Sequence, residues 1–373
     1  MLIKPKAGQA ARIKVVGVGG GGSNAISSMI KEGGIIGVDF VSINTDAQAL
    51  LNNKATIKIQ IGENLTKGLG SGGNPEIGLQ AAEESKDRIK EELEGADMIF
   101  ITCGEGGGTG TGAAPIIADL AKELGALTVA VVTKPFDFEG SKRKMNAEEG
   151  MEKLKEKVDT LIVVPNQKIL QVIDKKTPIL EAFKKIDDVL HQGVKGIAEL
   201  ITTPGLINVD FADVKSIMSN AGTALLGMGI GSGEKRGIAA IKQAISSPLL
   251  DVSIDGARGV LFNIVGGPDL TMMEVDEAAS IIAKTVDPNA DIIFGAVIDD
   301  KMMDQIKVTL IATKFENQRL KMFKFRTEPT IEQAEKKAAE KAKIDINPDE
   351  SLDEDDLLSE DSELDIPAFL RKK

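Results

Sequence analysis

GEGGGTGTGAAP, residues 104–115, follows directly on the apolar run ADMIFITC, residues 96–103. Apolar and β-branched side chains without polar alternation describe a strand buried on both faces, and the glycines after it lead into a helix-forming stretch. Such a turn leaves unpaired amide N–H groups at the start of the helix, where they and the helix dipole attract an anion. A second turn of this kind lies upstream, where IKVVGVG, residues 13–19, runs into Gly20, Gly21 and Gly22. Gly17, Gly19 and Gly22 satisfy G-x-G-x-x-G, which alone fits a dinucleotide pyrophosphate, with Asp46 as the acid beyond the second strand. A nicotinamide-dependent (NAD) oxidoreductase is therefore the rival reading. A third glycine loop, GLGSGGNPE at residues 68–76, offers more exposed backbone than one pyrophosphate requires, and the set suits the three phosphates of one nucleotide. Neither Gly-x-x-x-x-Gly-Lys-Ser/Thr nor Asn-Lys-x-Asp occurs, which argues against a P-loop NTPase.

Around these turns, VDFVSIN (38–44), ALTVAVVTKPF (126–136) and TLIVVPN (160–166) repeat the pattern of apolar strands separated by amphipathic helices. The fold class expected is α/β, a Rossmann-like doubly wound parallel sheet covered on both faces. PILEAFKKIDDVLHQGVKGIAELITTPG, residues 178–205, reads as one long connecting helix with Pro178 at its first position and Gly205 after its end. A smaller α/β domain follows, with a helix near Arg236 to Ser246, strands GVLFNIVGG, DIIFGAVID and IKVTLIATKF, and a helix TMMEVDEAASIIAKTV. The expected division is an N-terminal arm (1–11), a nucleotide domain (12–177), the helix (178–204), the second domain (205–318), an acidic linker (319–364) and a terminal peptide (365–373).

Across 373 residues, 42% hydrophobic and 27% charged side chains are ordinary globular usage. One cysteine excludes an internal disulfide, and one histidine beside it makes a His/Cys zinc site hard to assemble. No segment reads as a signal peptide or membrane span, so a cytoplasmic protein is expected. Of the formal net charge of −12, −11 lies between Lys343 and Arg371, so the remainder is nearly neutral and nucleic acid is not the expected partner. Cys103 and the pair Met272 and Met273 read as core residues, and His191 as a helix residue without a catalytic role.

The run GGGTGTG, residues 106–112, resembles the signature of the tubulin and FtsZ superfamily, and the resemblance extends over roughly residues 12 to 318 and the last nine residues. It implies a GTPase that polymerises head to tail and forms the cell-division ring beneath the membrane. By that resemblance Gly20, Gly21, Gly22, Ser23 and Asn24 form the first nucleotide loop. Asn44, Thr45 and Asp46 lie near the phosphates and a Mg2+ held mainly through them, with a monovalent cation as a further ion. Gly70, Ser71, Gly72 and Gly73 sense the γ-phosphate, while Gly107, Gly108, Thr109, Gly110 and Thr111 grip the phosphates. Thr133, Glu139, Arg143 and Asn166 contact sugar and phosphate. Phe183 stacks on guanine, and either Asp187 or Asp188 accepts its N1–H and N2–H. Glu105 stands where the family often has a smaller or apolar residue.

NVDFAD, residues 208–213, follows the long helix, and from its residue types alone Asn208 and Asp210 read as helix caps. The resemblance implies instead that Asn208, Asp210 and Asp213 enter the next subunit's nucleotide site and position the attacking water. It also implies that DIPAFLRKK, residues 365–373, docks on a membrane-tethering adaptor such as FtsA or ZipA, and that division regulators are partners. A scaffold that binds GTP without hydrolysing it is the remaining alternative.

Overall fold

The computed structural model describes residues 11–315 apart from Lys175, Pro204, Asp251 and Val252. The acidic linker, the terminal peptide and nearly all of the N-terminal arm lie outside the described residues. In chain order the elements are β1 (Ile13–Val18), α1 (Gly19–Lys31), β2 (Val38–Asn44), α2 (Ala47–Asn52), β3 (Ile57–Gln60), α3 (Glu63–Thr66), α4 (Pro75–Glu84), α5 (Lys86–Leu93), β4 (Met98–Gly104), α6 (Thr109–Glu123), β5 (Leu127–Lys134), α7 (Ser141–Lys157), β6 (Thr160–Pro165) and α8 (Asn166–Ile169). There follow α9 (Ile179–Thr202), α10 (Phe211–Met218), β7 (Gly222–Ser232), α11 (Arg236–Ile245), β8 (Gly259–Gly266), α12 (Met272–Thr285), β9 (Asp291–Ile298) and β10 (Gln305–Thr313).

The strands follow the order β3-β2-β1-β4-β5-β6-β7-β10-β8-β9. All neighbours from β3 to β7 are parallel, as are β8 and β9, while β10 runs antiparallel to both β7 and β8. The doubly wound expectation holds, and its cause is visible in the strand interiors. Val15, Met98, Phe100, Val129 and Val131 pack on one face against Ile26 and Met29 of α1 and the apolar stripe of α9. Their sequence neighbours Val16, Ile99, Ile101, Ala130 and Val132 pack on the other, against α4 to α7. Period-two alternation with both sets buried is why these strands read as unbroken apolar runs. A third core, with Phe262, Ile264 and Val308 under α11 and α12, holds the smaller domain.

Three readings are corrected. Pro178 is the N-cap of α9, and the first helical residue is Ile179. Met272 and Met273 are 75% and 70% exposed rather than core, because the first turn of α12 carries them outward while Val275, Ala278 and Ile282 face inward. Strand β7 went unread because its sequence, GTALLGMGIGS, is glycine-rich. Those glycines are a packing device: a Cβ on Gly229 would fall 2.0 Å from the Ala240 carbonyl oxygen, and one on Gly231 would fall 1.9 Å from that of Arg236. Helix α11 thus lies directly on the strand backbone, a reason for strand glycine that depends on what packs against it.

Candidate functional site

A cleft of about 300 Å³ opens where the C-terminal ends of the parallel strands meet α9. This is the edge at which open α/β sheets expose helix N-termini. Val18, Gly104, Thr133 and Asn166, at or just beyond the ends of β1, β4, β5 and β6, line it. The two glycine turns lie backbone against backbone: a Cβ on Gly19 would be 2.8 Å from the Gly110 amide nitrogen, and one on Gly21 3.1 Å from that of Gly104. Neither α1 nor α6 has a side-chain cap or an acidic residue in its first turn. Their leading N–H groups therefore remain available to an anion, with no carboxylate competing. Gly20, Gly21, Asn24, Gly107, Gly108, Thr109 and Gly110 all border the cleft.

Hydroxyls tie the surrounding loops to α6. Thr109 Oγ1 lies 2.7 Å from Thr45 Oγ1 and 3.0 Å from Ser71 Oγ. Ser71 borders the cleft, whereas Gly70, Gly72 and Gly73 of the same loop do not; these three adopt positive φ, the backbone that glycine allows most readily. Other expected residues support the cleft from behind without lining it. A Cβ on Gly22 would strike the Thr102 carbonyl oxygen at 2.3 Å, and Ser23 Oγ pairs with Ser42 Oγ at 2.9 Å. Asn44 Oδ1 accepts the Asp46 amide, and Asp46 Oδ1 accepts the Ala49 amide, capping α2. Thr111 Oγ1 accepts the Gly106 amide at 2.9 Å and so tightens the turn that leads into α6.

The opposite wall has a different character. Glu139 and Arg143 form an ion pair at 2.9 Å, and Glu139 also accepts the Phe136 amide. Phe183 is 44% exposed and meets Phe136 edge to face at 5.8 Å between ring centroids. Asn166 is buried, and its Oδ1 has no hydrogen-bond partner, a lone acceptor on a cleft-lining residue. Asp187 lines the cleft, with its carboxyl pushed up to about 6 by burial first and then by the charges of Asp188 and Glu32. Asp188 does not line the cleft; it lies 3.6 Å from Lys185 Nζ, and burial first and then the nearby Glu32 push its carboxyl up. Ile186 and Leu190, which sequence reading passed over, complete this wall. Their spacing of three and seven from Phe183 places all three on one helical face, a signal that was available.

Glu105 borders the cleft but sends its carboxyl under the turn. Cys103 Sγ donates to its Oε1 at 3.3 Å, and its Oε2 is without a partner. Burial pushes this carboxyl up to about 7 and pushes the Cys103 thiol up as well. Cys103 is fully buried, as expected of a core thiol.

Asn208, Asp210 and Asp213 are exposed and lie away from the cleft. Asn208 Oδ1 accepts the Gly205 amide at 2.6 Å, and Asp210 caps α10 by accepting the Asp213 amide at 2.8 Å. They follow the far end of α9, which at ~1.5 Å per residue carries the chain about 28 Å from Phe183 to Thr202. Thr202 ends beside Gly37, just before β2, at the N-terminal edge of the sheet.

Comparison with known proteins identifies relatives over both halves of the chain. A family model for the GTPase domain of the tubulin/FtsZ family matches residues 12–174, and one for the C-terminal domain of the FtsZ family matches residues 222–316. The structure of an empty FtsZ dimer from M. jannaschii is similar at 52% identity and a TM-score of 0.78, over 81% of this chain and 88% of that one. Two proteins of Haloferax volcanii share the fold: GDP-bound CetZ1 at 19% identity (TM-score 0.71, 82% of this chain, 95% of that one) and CetZ2 at 21% (0.70, 89% and 99%).

Proposed function

The chain belongs to the tubulin/FtsZ family of GTPases, and from that premise we propose that it binds GTP and GDP in the cleft, polymerises head to tail, and hydrolyses GTP with Asp210 and Asp213 of an adjacent subunit. The observation that carries this reading is the separation within one chain between the cleft, at the C-terminal edge of the sheet, and the Asn208–Asp213 loop, at its N-terminal edge. No chain can bring its own loop to its own nucleotide across the sheet, whereas two chains stacked end to end place one loop over the next cleft. The dimeric M. jannaschii relative supports self-association.

In this reading the uncapped N-termini of α1 and α6 take the phosphates, and Mg2+ is held chiefly through those phosphates. Asn166 Oδ1 accepts a sugar hydroxyl, which supplies its missing partner. Phe183 packs on the base, and Asp187 accepts its N1–H and N2–H. Phosphoryl transfer depends on alignment and charge stabilisation, so exposed carboxylates delivered by a neighbour suffice to orient water. The dinucleotide alternative is not supported, since Asp46 is engaged in capping α2 and the matched family consists of GTPases. Residues 365–373 are proposed to recruit an adaptor of the FtsA or ZipA kind at the division site. GTP turnover measured against protein concentration, beside light scattering, tests the shared site: specific activity rises cooperatively with assembly. Constant specific activity from dilute monomer upward overturns it, and scattering without turnover supports the non-hydrolysing scaffold.

A further inference from the structure

Glu105 stands between Gly104 and Gly106 in the turn that carries β4 into α6, and only 3% of it is exposed. Its Oε1 accepts the Cys103 thiol at 3.3 Å and its Oε2 has no partner, so no cation among the described residues balances the carboxyl. The surroundings are shaped around this side chain. A Cβ on Gly150, in the interior of α7, would fall 2.6 Å from Glu105 Oε2 and 2.3 Å from Thr111 Cγ2. Glycine is disfavoured inside a helix, and here it leaves the space that the carboxyl fills. The Glu105 amide donates to the Thr133 carbonyl at 2.9 Å, which ties the residue to β5 as well.

The groups facing it are Cys103 on β4, Thr133 on β5, Thr111 on α6 and, at the start of α7, Arg143, whose backbone packs on Gly106 while its guanidinium pairs with Glu139 at 2.9 Å. A carboxylate buried without a cation is costly, and burial favours the neutral acid. In the empty cleft the two forms are close in free energy near neutrality, because burial pushes the carboxyl up to about 7. Glu105 borders the cleft together with Gly107 and Gly108, so phosphates seated on that turn add negative charge beside it and favour the neutral form further. We propose that Glu105 is a positioning residue of this turn that works as the neutral acid, so that nucleotide binding takes up a proton from the buffer onto the Glu105 carboxylate and nucleotide release returns it. The inference rests on the reading of the cleft as a guanine-nucleotide site. Affinity then falls as pH rises through 7, because an ionised turn must recapture a proton before it accepts the phosphates.

Cys103 is the one cysteine of the chain and its thiol donates to Glu105, so its S–H stretching band in the infrared reads the charge on that acceptor. An ionised acceptor makes the stronger hydrogen bond and draws the band to lower frequency. The experiment titrates this band in the full-length protein from pH 5 to 9, with and without GDP. Beside it, calorimetry at pH 7.5 in buffers of different ionisation enthalpy counts the protons taken up on GDP binding by the parent and by Glu105→Gln. The expected result is a band midpoint near 7 in the free protein that GDP displaces upward, a band that does not titrate in Glu105→Gln, and greater proton uptake by the parent. Between pH 6 and 8 the parent's affinity should fall by up to about tenfold more than the variant's. Ionisation of the diphosphate is common to both proteins and cancels in the comparison. A parent band that does not titrate, a midpoint that GDP leaves in place, or equal proton uptake in parent and variant means a merely packed side chain and overturns the proposal. If Glu105→Gln does not fold, the parent's band decides alone. Absence of GDP binding by the parent at pH 7.5 defeats the reading of the cleft and the proposal with it, an outcome distinct from the others because the band of the free protein still titrates.

Discussion

Two adjacent carboxylates, Asp187 and Asp188, meet different surroundings although the chain places them side by side. One lines the cleft, and the other stays outside it and pairs with Lys185. Asp187→Ala is expected to erase a preference for guanine over adenine nucleotides, since a buried polar group left unpaired costs about 1–3 kcal/mol, and the preference itself is expected to be tenfold to several hundredfold. Asp188→Ala should preserve most of it. Competition of GDP against ADP for each variant decides the matter, and loss of preference in Asp188→Ala alone would reverse the assignment. Glu105 supplies a second prediction. Its carboxyl titrates near 7 in the folded protein and near 4.5 when unfolded, so the native state binds the proton more tightly. Its contribution to stability is therefore fully present below about pH 4.5 and is lost as pH rises through 7, by at most roughly 3 kcal/mol. Glu105→Gln should match the parent near pH 5 and melt at higher temperature at pH 8; parallel melting curves across that range would refute the cause.

At the scale of elements, helix ends do the positioning. The starts of α1 and α6 are left uncapped where the cleft opens, whereas α10 is capped by Asp210, a residue also proposed to act on water in the neighbouring subunit. The two roles separate by substitution. Asp210→Ala removes both, costing about 1 kcal/mol of stability together with turnover, whereas Asp210→Asn keeps a capping oxygen and removes the charge. We expect Asp210→Asn to melt like the parent and hydrolyse GTP slowly even when fully assembled; normal turnover in that variant would confine Asp210 to capping.

For the whole molecule, α9 sets the spacing between cleft and loop. Gly193 and Gly196 let it lie close to Leu226 of β7 and Thr309 of β10, so one rigid rod touches both the parallel sheet and the smaller domain. On the proposed function, subunits built this way would carry a nucleotide at one end and a catalytic loop at the other, and each active site would belong to a pair. Mixtures are then informative. A small proportion of Asp213→Ala subunits that still bind GTP should lower turnover of the parent protein by more than dilution, because each one silences a neighbour's site. Strictly proportional loss would mean that each chain hydrolyses its own nucleotide.

Local chemistry was enough to read the sheet type, the two glycine turns that border the cleft and the long helix, because glycine turns, apolar runs and helical periodicity are properties of neighbours in the chain. Asp210 was legible as a helix cap for the same reason, whereas Asn208, read the same way, caps no helix and instead accepts the Gly205 amide within the loop. The alternation of Val15 with Val16, or Phe100 with Ile101, was also implied once both faces were known to be covered. What the sequence left open depended on partners distant along the chain. β7 was hidden because its glycines answer to the backbone of α11, and Met272 and Met273 were misread because burial is decided by which face of α12 meets the sheet. Whether Asp187 or Asp188 enters the cleft depends on the rotation of α9 about its axis. Packing against α1 and the sheet sets that rotation, and only the folded chain brings Glu32 to His191 across 159 positions of sequence.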